Sequence, residues 1–264
     1  MIDLHCHILP GIDDGPQTIE ESIEMAKAFS ANGYTVAAAT PHMIPGTTWM
    51  PSADRIKQKT RELNLAIVQQ ELGIRIVSGM EVALDPQIPD LLDQGRLIGL
   101  GDTAWLLVEP PFLHLPCGWE QIIFSVLARG FSVLLAHPER CKHLADTPQA
   151  IERLVASGVH LQANWGSFIG QYGRKVARTA HLMAENGWIH CLATDSHRAL
   201  GLDPAAMKMA RDKIIGLIGE DNLALIACEN PGHVLRGGKV AAMTVKGTMA
   251  AAGKARGWQF WKNN

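Results

Sequence analysis

The sequence predicts an α/β barrel of parallel strands. Three observations carry that expectation. Seven short apolar segments alternate with amphipathic segments of helical period, the pattern of βαβ units. Five helical segments end in glycine directly before the next strand, at Gly33, Gly73, Gly130, Gly158 and Gly187. Glycine takes the left-handed position that closes a helix at little steric cost. Several strands are apolar throughout, VAAAT, WLLV and VLLA among them, as expected when both faces are covered.

The elements follow in order. Residues 2–9 read as the first strand. Thr18 opens a helix, with Glu21 as its capping-box partner three residues on, and Asn32-Gly33 ends it. Residues 34–40 form strand two, and 52–72 a long helix stopped at Gly73. Strand three spans 74–82, a short helix 90–94, and strand four 103–108. A helix over 119–129 leads to strand five over 131–136, and one over 147–157 to strand six over 160–163. A helix over 175–186 leads to strand seven over 188–194. Two helices, 204–218 and 222–228, complete the pattern. No linker interrupts it before about residue 237, so 1–237 reads as one domain and 238–264 as a basic tail outside the core.

Composition narrows the function. With 24 Lys+Arg against 26 Asp+Glu the net charge is −2, and this balance speaks against nucleic acid or anionic membrane as the main partner. The segment from Lys239 onward carries five basic residues and no acid, which leaves −7 for the remainder. No apolar run reaches the roughly 18 residues of a transmembrane segment, and MIDLHCHILP lacks the pattern of a signal peptide. The five cysteines are scattered without a CxxC, which suits a reducing compartment. A cytoplasmic location is expected.

The chemistry lies where the strands end. Strand one ends in His5-Cys6-His7, strand two in His42, strand three in Glu81 and strand four in Glu109. Strand five ends in His137 with Arg140 three residues on, strand six in Asn164, and strand seven in Asp195-Ser196-His197. In a parallel barrel those ends converge on one face, where active sites sit. Alternation along a strand puts both imidazoles of HxH on one side and Cys6 on the other. Asp14 joins the set, with Asp13 as the competing ligand beside it. Five imidazoles and four carboxylates, without a thiolate, suit Mn, Fe or Zn. Nine ligands exceed the needs of one ion and are enough for two or three, with Glu81 a reasonable bridge. Such a site lowers the pKa of bound water and clamps an in-line displacement at phosphorus. Arg140 offers a bidentate fork to phosphate oxygens, and Arg198 either does the same or faces solvent.

These motifs resemble the PHP (polymerase and histidinol phosphatase) superfamily. More closely, the chain is similar to bacterial manganese-dependent tyrosine-protein phosphatases of capsular and exopolysaccharide loci. The matching stretches are DLHCHILPGIDDG at 3–15, ATPH at 39–42, GMEV at 79–82, LLVEPPF at 106–112, AHPER at 136–140, QANWGSFIGQYG at 162–173 and ATDSH at 193–197. The resemblance implies a distorted (β/α)7 TIM-like barrel and two or three divalent metals, Mn first, with Fe, Zn or Mg as alternatives. It implies His5, His7, Glu81 and Asp195 on one ion, Glu81, Glu109 and His137 on a second, and Asp14, His42 and His197 on a third. It further implies hydrolysis of phosphotyrosine in a protein, a kinase of polysaccharide assembly, by in-line attack of a metal-bridging hydroxide. Arg140, His42 and Glu109 would be the catalytic residues, with Arg140 and Arg198 binding substrate.

The chain also departs from that pattern. Related sequences often carry a second His after the ATPH motif, where this one has Met43. Trp49 in the loop 45–51, and His114 beyond Glu109, bear on substrate access. Other readings remain: a small-molecule phosphatase such as histidinol phosphatase, a nucleic-acid phosphoesterase, an amidohydrolase, or a metal-binding scaffold without turnover. Strand four supplies Glu109 where an amidohydrolase commonly has a bridging lysine. Cysteine-based phosphatase chemistry is excluded, because no cysteine has an arginine six positions later.

Overall fold

The computed structural model describes residues 1–245; the rest of the expected basic tail, 246–264, lies outside the described residues. In chain order the regular elements are β1 (Ile2–Cys6), α1 (Ile19–Ala31), β2 (Val36–Ala39), β3 (His42–Met43), α2 (Ala53–Gln69), β4 (Arg75–Ser78) and β5 (Glu81–Ala83). Then come α3 (Ile88–Asp93), β6 (Trp105–Glu109), α4 (Trp119–Ala128), β7 (Ser132–Ala136), α5 (Lys142–Asp146), α6 (Pro148–Ala156) and β8 (His160–Asn164). The chain continues through α7 (Trp165–Phe168), α8 (Arg174–Glu185), β9 (Cys191–Ala193), α9 (Pro204–Ile218), α10 (Glu220–Ala224) and α11 (Asn230–Val234).

All strand pairs are parallel. They run in the orders β1-β2-β4 and β3-β5-β6-β7-β8-β9. After short breaks β3 and β5 prolong β2 and β4, and β9 returns to β1. The closure is a Cys6–Ser196 bridge, with Asp195 N–H donating to His5 O and His7 N–H to Ser196 O, each at 2.9 Å. The seven staves therefore follow chain order around a closed ring, a distorted (β/α)7 barrel. Alternation sorts the side chains into two cores. Leu4, Ala38, Trp105, Leu107, Leu134, Ala136 and Cys191 cluster together with Val234 and Leu100. Their strand neighbours Leu106, Val108, Val133, Leu135 and Leu192 pack instead into the larger cluster shared with the helices.

Local chemistry explains most boundaries. Thr18 Oγ1 accepts from Glu21 N–H at 3.3 Å, while Glu21 Oε2 accepts from Gln17 N–H at 2.6 Å. Ser52 caps α2 through Arg55 N–H at 3.2 Å, and Asp203 caps α9 through Ala206 N–H at 2.9 Å. The long helix ends earlier than expected: its left-handed residue is Glu71, at φ 54°, and not Gly73. The expected third strand is broken at Gly79-Met80, where a Cβ on Gly79 would sit 3.0 Å from Leu100 Cδ2. Two helical turns, α5 and α7, have no counterpart in the periodicity. The final helical region is continuous from 220 to 234, with a π turn at Leu225–Glu229.

Residues 238–245 run along the body. Trp105 Nε1–H donates to Gly238 O at 3.1 Å, and the side-chain amides of Asn230 and Asn222 pair with the backbones of Ala241 and Thr244. Among the described residues, no helix is long and apolar enough to cross a membrane.

Candidate metal centre

The nine side chains singled out at the strand ends meet in one basin. Its floor is His5, His7, Glu81 and His137, whose side chains are at most 2% exposed. Asp195 closes one side. His42, Glu109, Arg140 and His197 stand around the open side at 12 to 29% exposure, and Asp14 at 46%. Glu81 is the hub. Its carboxylate oxygens lie 3.0 Å from His5 Nε2, 3.4 Å from His7 Nε2, 2.9 Å from His42 Nδ1 and 3.2 Å from His137 Nε2. Register explains part of this, because His42 on β3 pairs with Glu81 on β5.

Four groups bring ligand atoms within 4.8 Å of one another: His5, His7 and Glu81; His5, His137 and Asp195; His42, Glu81 and Glu109; and His7, Asp14, His42 and His197. The last contains the trio expected for a third ion. His137 lies between the expected sets, with Nε2 3.2 Å from Glu81 and 3.8 Å from both Glu109 and Asp195.

The donor chemistry fits cations. His42 Nδ1 and Glu81 Oε2 are buried and 2.9 Å apart, yet among the described residues neither makes a hydrogen bond. Nε2 of His5 and Nε2 of His7 face each other at 3.3 Å, while their Nδ1 atoms are engaged by Gln162 Oε1 at 3.0 Å and Asp13 Oδ2 at 2.7 Å. Crowded lone pairs of this kind are costly when buried, and a shared positive charge relieves the cost.

The same crowding shifts the titrations of the metal-free protein. Burial works against a charge on His5, but Glu81 and Asp195 more than offset it and raise its pKa to about 9. His7 is likewise raised against burial by Asp13 and Glu81. Burial alone would raise Glu81, yet the imidazoles of His5, His137 and His42 hold it well below the usual carboxylate range. Glu109 goes the other way, pushed up by burial and by the charge on Glu81. Two site residues also carry strained backbones: His137 at φ 30° and Asp195 at φ 53°, outside the glycine positions where such angles are cheap.

Arg140 occupies the rim in a fixed pose. Its Nη1–H donates to Asp195 Oδ2, and its guanidinium lies over Phe112 at 4.7 Å and Tyr172 at 4.3 Å from the ring centroids. Arg198 is exposed and, among the described residues, its side chain has no hydrogen bond or ion pair. Trp49 stacks on His42, centroids 4.9 Å apart at 13°. Met43 is buried. His114 is exposed and lines an open cavity of about 600 Å³ with Trp119 and His143.

Reasoning from strand ends misses the supports. Buried Asp3 accepts from His5 N–H at 2.8 Å and Thr194 N–H at 2.9 Å, tying β1 to β9 beneath the site. Asp13 accepts from His42 N–H and Gly15 N–H as well as engaging His7. Gly15 is required there, because a Cβ would fall 2.2 Å from His7 O. A signal existed for Gln162: it shares a strand face with Asn164 by the period of two.

Comparisons agree with this geometry. A family model described as capsular polysaccharide synthesis, CpsB/CapC, matches residues 1–236. Tyrosine-protein phosphatase YwqE of Bacillus subtilis is 32% identical over 197 residues, covering 75% of this chain and 77% of that protein. Tyrosine-protein phosphatase CpsB of Streptococcus agalactiae is 24% identical over 249 residues, covering 89% and 98%. A crystal structure from work on YwqE of B. subtilis and CpsB of Streptococcus pneumoniae, described as metal-dependent tyrosine phosphatases, superposes with a TM-score of 0.86 at 28% identity, covering 92% and 97%. The histidinol phosphate phosphatase of Lactococcus lactis shares the fold, with a TM-score of 0.52 at 15% identity over 79% and 93%. With the family model matched over almost all of the described residues, this chain belongs to the CpsB/CapC family of capsular polysaccharide synthesis proteins.

Proposed function

We propose that this protein is a metal-dependent phosphomonoesterase that hydrolyses phosphotyrosine in protein, with a tyrosine kinase of capsule or exopolysaccharide assembly as substrate. The observation that carries the reading is the hub at Glu81, one carboxylate touching four imidazoles in a basin open on one side. The family and the YwqE and CpsB relatives supply the substrate class.

His5, His7, Glu81 and Asp195 would hold one divalent ion, Glu81, Glu109 and His137 a second, and Asp14, His42 and His197 a third. Manganese is the first choice, because hard carboxylates and imidazoles without thiolates suit it. When bound, such ions lower the pKa of coordinated water and neutralise charge on a phosphoryl group.

The chain's own residues shape the rest. The buried floor excludes solvent, so substrate enters past His42, Glu109 and Arg140. Asp195 holds one edge of the Arg140 guanidinium and the rings of Phe112 and Tyr172 hold its faces. Among the described residues the remaining N–H groups have no acceptor; they would grip phosphoryl oxygens, and that grip tightens as charge develops in the transition state. Arg198, exposed and without an ion-pair partner among the described residues, is a second, outer phosphate contact. A cytoplasmic site of action completes this reading.

Rates on a phosphotyrosine peptide, histidinol phosphate and a single-stranded oligonucleotide, each with Mn, Mg, Zn and chelator, test the reading. The peptide is expected to be hydrolysed fastest and only with metal. A peptide rate no better than the other two overturns the substrate assignment.

A further inference from the structure

The floor of the basin is braced from β8 by two neutral amides. His5 Nδ1 lies 3.0 Å from Gln162 Oε1. Gln162 Nε2 lies 2.7 Å from Asn164 Oδ1, and Asn164 Nδ2 lies 3.1 Å from Asp195 Oδ2. All four residues are buried or nearly so. The far end of the chain is pinned as well: Glu139 Oε1 accepts from Asn164 N–H at 2.9 Å and from Ser167 Oγ–H at 2.7 Å.

The direction of every bond in this chain follows from one charge. An ionised carboxylate only accepts, so Asn164 must turn its NH₂ toward Asp195. Its oxygen then faces Gln162, which must donate its own NH₂. The oxygen of Gln162 is left facing His5, and His5 must donate from Nδ1. In the neutral imidazole that binds a metal, the only lone pair on His5 is then at Nε2, which points at Glu81 and Asp195 at 3.0 and 3.4 Å. The carboxylate thus sets the orientation of both amides.

We infer that Gln162 and Asn164 are positioning residues that pass the charge of Asp195 through two amides to fix His5 as its Nδ1–H tautomer, with Nε2 presented to a divalent ion. His7 reaches the same state by a shorter route, through Asp13 at 2.7 Å. The two histidines of the HxH motif thus face the basin with the same nitrogen, one oriented by a carboxylate and one by an amide relay. His137 has no such brace, since its buried Nδ1 has no hydrogen-bond partner among the described residues. Outer-shell partners of this kind change metal affinity by 10- to 100-fold when removed. The inference rests on the metal-dependent reading above, but its test reads binding and protonation and not turnover.

The experiment titrates full-length, metal-stripped Gln162→Met and Gln162→Glu proteins with Mn(II) by calorimetry. The Met variant keeps the volume and cannot accept from His5; it is expected to bind the tightest ion 10- to 100-fold more weakly. The Glu variant still accepts from His5 Nδ1–H, although it cannot donate to Asn164 Oδ1, and is expected to lose less affinity than the Met variant. A packing role alone would spare the Met variant and penalise the buried charge of the Glu variant. Equal affinities, or a loss confined to Glu, overturn the inference. A second measurement needs no variant: ¹⁵N NMR of the Zn(II)-loaded wild-type protein is expected to show a proton on His5 Nδ1 and none on Nε2. A metal on Nδ1 overturns it. Peptide dephosphorylation by the wild type, measured alongside, separates failure of the relay from failure of the phosphatase reading.

Discussion

At the N-terminal ends of the strands, His160 and His190 pack edge-on at 4.7 Å, and His160 lies 4.8 Å from Trp105, centroid to centroid. At the C-terminal ends of the same strands, five histidines face four carboxylates. Burial governs the lower pair: it pushes the pKa of His190 down to about 4, with His160 adding to the effect, and it lowers His160 too. Burial acts on His5 in the same direction and loses to Glu81 and Asp195. One barrel therefore holds imidazoles neutral at one end and raises those of His5 and His7 at the other. For these histidines the deciding variable is the carboxylate, not depth.

The widest break in that contrast comes from removing the hub. Glu81→Ala is expected to lower kcat/KM on a phosphotyrosine peptide by about 10³-fold or more and to reduce bound metal, because four imidazoles lose their common partner. Metal analysis beside steady-state kinetics checks it; wild-type metal content would move Glu81 out of the centre. Arg140→Ala comes next. It is expected to raise KM and lower kcat, on the order of 10²-fold in kcat/KM, with metal content unchanged. Unaltered kinetics would take Arg140 out of the site.

The lower end of the barrel is tested by pH. The folded pKa of His190 lies below the ordinary value of 6.5, at about 4. Its contribution is therefore complete above pH 6.5 and is lost as pH falls through 4, about 3 kcal/mol in all. His190→Gln is expected to flatten that acid limb in denaturant titrations of the metal-free protein. Parallel curves for variant and wild type would contradict it. The smallest effect is expected at the start of α1. Thr18→Ala removes the cap of α1 and is expected to cost about 1 kcal/mol of stability with activity unchanged.

How much was legible follows from what each signal measures. Apolar period and glycine stops expose helices and strands that pack along their whole length, so the seven staves and α9 were readable from the chain alone. The break at Gly79-Met80 was not, because the tight space at Gly79 is set by Leu100 and Thr40, contacts distant in sequence. The early end of α2 was missed because an exposed non-glycine residue, Glu71, takes the left-handed position that the sequence assigns to Gly73. The turns α5 and α7 are too short to show a period. At the site, the residues that face the basin were legible because strand ends converge by topology. The residues that orient them were not. Asp3 and Gln162 sit one or two positions back along their strands and act only through partners brought close by closure of the barrel. Asp13 was visible solely as a rival to Asp14; the structure gives the two different work, with Asp13 engaging His7 and Asp14 lying 3.3 to 3.5 Å from His197 and His42.

The central claim is that the upper end of the barrel is a cation-dependent hydrolytic centre. Its most direct test is dephosphorylation of a phosphotyrosine peptide by protein whose metal content is measured before chelation, after chelation and after return of Mn(II). Two or three ions per chain, abolition of activity by chelator and recovery with manganese are the predicted results. Full activity in protein shown to hold no metal would contradict the account.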